Sequence, residues 1–83
     1  YLESDHVYLN IFTPHRKYII RCKMDDFIAD HAHLNLLRVH RSYAVNIPHL
    51  ESFSDVFVKV AGKEVPMHSN YRHQIIEAIR LMK

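Results

Sequence analysis

Residues 36–47 read LLRVHRSYAVNI. Inside this apolar stretch sit two guanidinium groups (Arg38 and Arg41), an imidazole (His40) and a hydroxyl (Ser42). Side chains of these types hydrogen-bond phosphate oxygens and the edges of bases. They also staple turns, so composition leaves both roles open. Two other segments mix basic and hydrogen-bonding residues, ESDH at 3–6 and HSNYRH at 68–73. Periodicity does not say whether the three segments share a face.

Other chemistries find less support. His31 and His33 stand two apart with His40 beyond them, whereas zinc needs three or four converging ligands. His31 reads better as a helix cap or as cover for an apolar helix face. Asp25 and Asp26 are adjacent and suit a solvated helix start, not a facing acid–base pair. Cys22 is the only cysteine. It can form no internal disulfide, fits a reducing compartment, and reads as a small buried apolar side chain. A single glycine excludes a glycine-rich phosphate loop. The expectation is therefore a non-enzyme with no catalytic residue, no metal and no cofactor.

The chain has 83 residues, 48% of them hydrophobic and 24% charged, with a formal net charge of +2. That is one globular domain, mildly basic, which permits a polyanionic partner without demanding one. Eight histidines would add charge as pH falls toward about 6, and affinity for a polyanion is expected to rise with them. No apolar run approaches the roughly 18 residues of a membrane-spanning helix, and no signal peptide opens the chain.

The elements that would hold these residues follow from side-chain period. VYLNIFT at 7–13 reads as a strand, TPHR as a turn and KYIIRC at 17–22 as the returning strand, with Tyr18, Ile20 and Cys22 on one face. Met24, Phe27, Ile28 and His31 recur at helical spacing, so KMDDFIADH at 23–31 reads as a short helix. At period two, Leu37, Val39, Tyr43, Val45 and Ile47 share a side with Arg41, opposite Arg38, His40, Ser42 and Asn46. Arg41 breaks the alternation, which marks either a kink near residues 40–43 or a functional exception. IPHLESF at 47–53 is a turn and short strand. DVFVKV at 55–60 is a strand with Val56, Val58 and Val60 inward, AGKE a tight turn, and EVPM at 64–67 an edge strand marked by Pro66. Tyr71, Ile75, Ala78, Ile79 and Met82 predict a C-terminal helix capped by His68 or Ser69, with Arg80 and Lys83 at its negative end. The order is β-β-α-β-β-β-β-α with antiparallel pairing.

Leu37, Arg38, His40, Arg41, Ser42, Tyr43, Val45 and Asn46 match, in unbroken spacing, the signature of LytTR DNA-binding domains. YLES before HVYLNI, KMDDFIAD, GKEVPM and NYRHQI also resemble successive parts of that family, so the likeness covers nearly the whole chain. The resemblance implies a mainly β fold: stacked antiparallel sheets with a small helix between them and a C-terminal helix. It implies a bacterial transcription regulator whose loops enter successive major grooves of double-stranded DNA, in the cytoplasm and away from membranes. Many members follow a phospho-acceptor receiver domain in two-component response regulators and bind direct repeats as homodimers. Family domains carry one or two strands before the YLES position, so residues 1–83 are expected to be a single domain lacking those strands.

Carried over by position, the implied contacts are His6 (beside Asp5) in the first loop, Arg41 in the signature, and Ser69 and Asn70 in the third loop. His40 is a secondary candidate, and Arg72 is added on charge alone. The family's Ser-Arg pair before the last helix is missing its arginine, because those positions read His68 and Ser69. Alternative roles stay open: Arg38 as a structural ion-pair partner, His40 as a backbone ligand at the bend, Asn46 as a turn cap. A second function class also stays open, a small β-rich protein-interaction module pairing through an exposed strand edge.

Overall fold

The computed structural model describes residues 1–81. Met82 and Lys83, expected at the end of the last helix, lie outside the described residues. Eight strands and two helices follow in order: β1 (Leu2–Asp5), β2 (Tyr8–Phe12), β3 (Lys17–Arg21), α1 (Met24–Asp30), β4 (Leu36–His40), β5 (Tyr43–Asn46), β6 (Leu50–Phe53), β7 (Phe57–Val60), β8 (Lys63–Pro66) and α2 (Arg72–Leu81). The strands form two antiparallel sheets, β3-β2-β1-β5-β4 and β6-β7-β8. This is the mainly β class that the sequence implies. No helix among the described residues is long and apolar enough to cross a membrane.

Two cores flank the larger sheet. Val39 and Val45 on one face meet Val58, Val60 and Val65 of the smaller sheet, Met67, and Ile75 of α2. Leu2, Leu9 and Ala44 on the other face meet Met24 of α1, with Phe27 and Ile28 packed against them. The helical spacing read at residues 24–28 is thus the docking face of α1. Its seven residues are too few to hold a helix in water without that docking. Each fully buried aliphatic side chain here contributes about 1.5–3 kcal/mol.

Several local expectations are corrected. YLES contains a strand, β1, that periodicity left unassigned, and it lies at the centre of the larger sheet. The stretch 36–47 is two strands and a turn, so eight strands replace the expected six. Val56 is exposed, because the Ser54 hydroxyl accepts from the N–H groups of Val56 and Phe57 and holds both in a turn. The strand begins only at Phe57. All five residues of β3 are exposed, since it is an edge strand and no core cluster among the described residues reaches its Tyr18–Ile20 face. Pro66 does mark an edge, β8.

The β7–β8 turn carries a specific strain. Ala61 and Gly62 both have positive φ, 49° and 80°, the geometry of a two-residue hairpin turn that favours Asn-Gly. Glycine adopts it freely, whereas the Cβ of alanine does not. Ala61→Asn is therefore expected to stabilise the domain by about 0.5–1 kcal/mol. A thermal melt checks it: a midpoint that stays put or falls would show that Ala61 carries no strain.

Candidate nucleic-acid interface

The β4–β5 hairpin carries the polar knot of LLRVHRSYAVNI. Arg38 pairs with Ala44, but the next pair is His40 with Tyr43, so Val39 is an extra residue in β4. This β-bulge turns Val39 and His40 toward the same side. Val39 enters the core with no exposure, and the His40 ring meets Tyr43 edge-on at 5.5 Å. Strict alternation put His40 opposite Tyr43, and the bulge corrects that. Arg41 and Ser42 then form the turn, so Arg41 is not a charge on a core face. It is an exposed turn residue that makes no ion pair among the described residues.

Hydrogen bonds draw three loops side by side. The Ser4 N–H donates to the Ser42 carbonyl at 2.8 Å, and Glu3 pairs with Tyr43. Because β1 and β5 are antiparallel, the β1–β2 turn at His6 and Val7 lies at the same sheet end as Arg41 and Ser42. On the other side, the His68 N–H donates to the Val39 carbonyl at 2.8 Å, and the rings of His40 and His68 lie 6.5 Å apart. That contact brings in the short 3-10 turn Ser69–Tyr71 ahead of α2. Of the expected site residues, His6, Arg41, Ser69, Asn70 and Arg72 are exposed and His40 is half-buried. His6 holds a left-handed φ of 55°. Its ring stands 3.9 Å from Asp5, with both side chains well exposed, which is worth little in water.

The remaining polar residues hold this edge in shape. The Arg38 guanidinium bonds the Asp25 carboxylate and donates to the carbonyls of His40 and Arg41. It ties the turn to α1 and is a structural partner. Arg72 is already paired with Asp55, so its charge is partly spoken for. His31 donates from Nδ1 to the Phe27 carbonyl at 2.9 Å and stacks on the Phe27 ring, closing α1. The Asn46 amide donates to the Leu34 carbonyl at 2.7 Å, the turn-capping role open to it from sequence.

Sequence reasoning missed one feature. Glu3 accepts from the Tyr43 hydroxyl at 2.8 Å and from the Asn10 amide at 3.2 Å, joining β2, β1 and β5. Of the two caps expected before the last helix, His68 is the one used: it accepts the Asn70 N–H on Nδ1 at 3.1 Å. His40 does the same for Ser42 at 3.0 Å, the backbone role at the bend that the sequence left open for it. The repeated pattern, histidine followed two residues later by serine or asparagine, was a readable signal for both caps.

A family model described as the LytTr DNA-binding domain matches residues 1–80. No curated protein and no solved structure matches the chain.

Hydrogen bonding to Glu3 raises the Tyr43 phenol above its usual pKa near 10, and burial and the Glu3 charge add to the effect. The protonated phenol is the bonding form. Its contribution to stability is fully present below the unfolded value and is lost as pH rises through the raised folded value. Glu3→Ala is expected to bring Tyr43 ionisation to lower pH in ultraviolet titration. It should also cost about 1–3 kcal/mol, because Asn10, buried at 6% exposure, loses its acceptor. An unchanged tyrosine titration would contradict this role for Glu3.

Proposed function

The chain belongs to the LytTr DNA-binding domain family, and on that premise we propose that it is the sequence-specific double-stranded DNA-binding domain of a bacterial transcription regulator. The observation that carries the reading is the run of three hydrogen-bonded loops with His6, Arg41, and Ser69 with Asn70 exposed along it. Guanidinium, imidazole, hydroxyl and amide groups on adjoining turns suit the donor and acceptor pattern of the major groove. Arg41 is the strongest candidate, exposed and free of ion pairs among the described residues. Its planar fork fits guanine or phosphate oxygens. Arg72 contributes only after exchanging Asp55 for phosphate, which makes it the weaker partner. His40 joins from the flank, at the joint between the second and third loops.

The family context extends the proposal to a two-component response regulator in the cytoplasm, with a receiver domain upstream and two copies on direct repeats. Selection of bound sequences from random duplex DNA tests specificity and spacing together.

A strand-edge interaction module is the second reading, favoured by β3. Ile19 is 60% exposed and Tyr18 46%, on an edge strand whose outer backbone groups face solvent. Self-pairing is disfavoured there, because full antiparallel overlap of two β3 strands sets Lys17 opposite Arg21. Salt separates the two readings. DNA affinity falls steeply with salt, at about 0.9 log unit per log unit for each phosphate contact, whereas strand pairing hardly responds.

Arg41→Ala is expected to weaken specific binding by about 1–3 kcal/mol while leaving the melting midpoint unchanged. A mobility-shift titration reads it, and undiminished affinity for the selected duplex would remove Arg41 from the interface.

A further inference from the structure

The rings of His40 and His68 share one arrangement. Each accepts on Nδ1 the backbone N–H two residues ahead, from Ser42 at 3.0 Å and from Asn70 at 3.1 Å. A neutral imidazole carries one proton, and an accepting Nδ1 leaves that proton on Nε2. Both turns therefore select the same tautomer, and each Nε2–H lacks a partner among the described residues. The rings meet edge to face, 6.5 Å apart, at the joint between the second and third loops.

We propose that His40 and His68 are specificity-determining residues, neutral Nε2–H donors that read acceptor atoms on base edges, guanine N7 and O6 or adenine N7 and thymine O4. The proposal rests on the DNA-binding reading above and deepens it. The donor is offered by a capped turn, so its direction is set before binding and little ordering is lost in the complex.

A consequence runs against simple charge counting. An imidazolium has a proton on both nitrogens. Its Nδ1–H would face the N–H of Ser42 or Asn70, donor against donor, and the turn would lose its cap. The charged groups around the pair do not compensate. Arg38 and Arg41 flank His40, with Tyr43 in edge contact and Glu3 behind it. Arg72 follows two residues after Asn70, and Asp55 and Asp25 are each already held by an arginine. A doubly protonated ring would therefore forfeit its cap hydrogen bond in each turn.

The test uses the whole chain, the duplex selected from random DNA, and a scrambled duplex of equal length. His68→Asn keeps a side-chain acceptor for the Asn70 N–H, since asparagine is among the best cap residues, and it removes the Nε2–H. The expected result is about a tenfold loss of affinity for the selected duplex, with the scrambled duplex and the melting midpoint unaffected. Between about pH 8 and about pH 5.5, the advantage of the native chain over the His40→Asn, His68→Asn double variant should shrink toward zero. The exposed His6 cancels in that ratio. Nitrogen-15 spectra of the imidazoles should show Nε2–H tautomers for both rings at neutral pH.

Native affinity in His68→Asn, an advantage that grows on acidification, or an Nδ1–H tautomer would each overturn the proposal. Equal losses on both duplexes would also overturn it, by assigning the donor to phosphate instead of base edges. A chain that enriches no duplex defeats the DNA reading itself, and the tautomer spectra still report on the histidines independently.

Discussion

One extra residue in β4 organises this domain. Without the bulge at Val39, strict alternation would send His40 away from Tyr43 and the third loop. With it, Val39 fills the core between the sheets and His40 stands beside it. The Val39 carbonyl accepts the His68 N–H. The same irregularity that aims a ring therefore also joins the tail of the smaller sheet to the larger one. Bulges cost ladder bonds locally, and here that cost is offset by the long-range hydrogen bond between the Val39 carbonyl and the His68 N–H.

Around that point the labour is divided by burial. Arg38, Glu3, Tyr43 and Asn10 are polar residues whose partners are already within the fold. They hold three strands, a turn and α1 in fixed relation. Arg41, Ser69 and Asn70 are exposed on turns that this scaffold positions. His40 and His68 stand between the two groups, because one ring nitrogen serves the fold and the other has no hydrogen-bond partner among the described residues. Site precision depends on supporting residues whose own geometry is fixed, and each of the last two loops has its support visible.

Much of this was legible from side-chain period and type. The α1 docking face, the hairpin turn at Gly62, the edge character of Pro66 and the polar knot in LLRVHRSYAVNI all follow from local rules. Resemblance added what local rules could not, a family for the whole chain. Other features were out of reach for physical reasons. Val56 carries the alternation of its neighbours, yet a serine hydroxyl two residues earlier holds it in a turn. The β3 pattern looks half-buried, yet burial depends on whether anything packs against it. Arg72 looks like a free cation, yet Asp55, distant in sequence, is its partner.

The sequence by itself determined which residues are apolar at helical or strand spacing, where the turns at Pro14 and Gly62 fall, and which side chains offer hydrogen bonds to a partner. These are properties of neighbours along the chain, and period and turn chemistry express them. Only the tertiary structure decided which of three separated segments adjoin, which cations are already paired, and on which side of the sheet His40 lies. Those outcomes depend on strand register and on contacts between residues far apart in sequence. A one-residue shift in register reverses a side chain's direction; the broken alternation at Arg41 signals an irregularity near residues 40–43 but does not say which residue is extra.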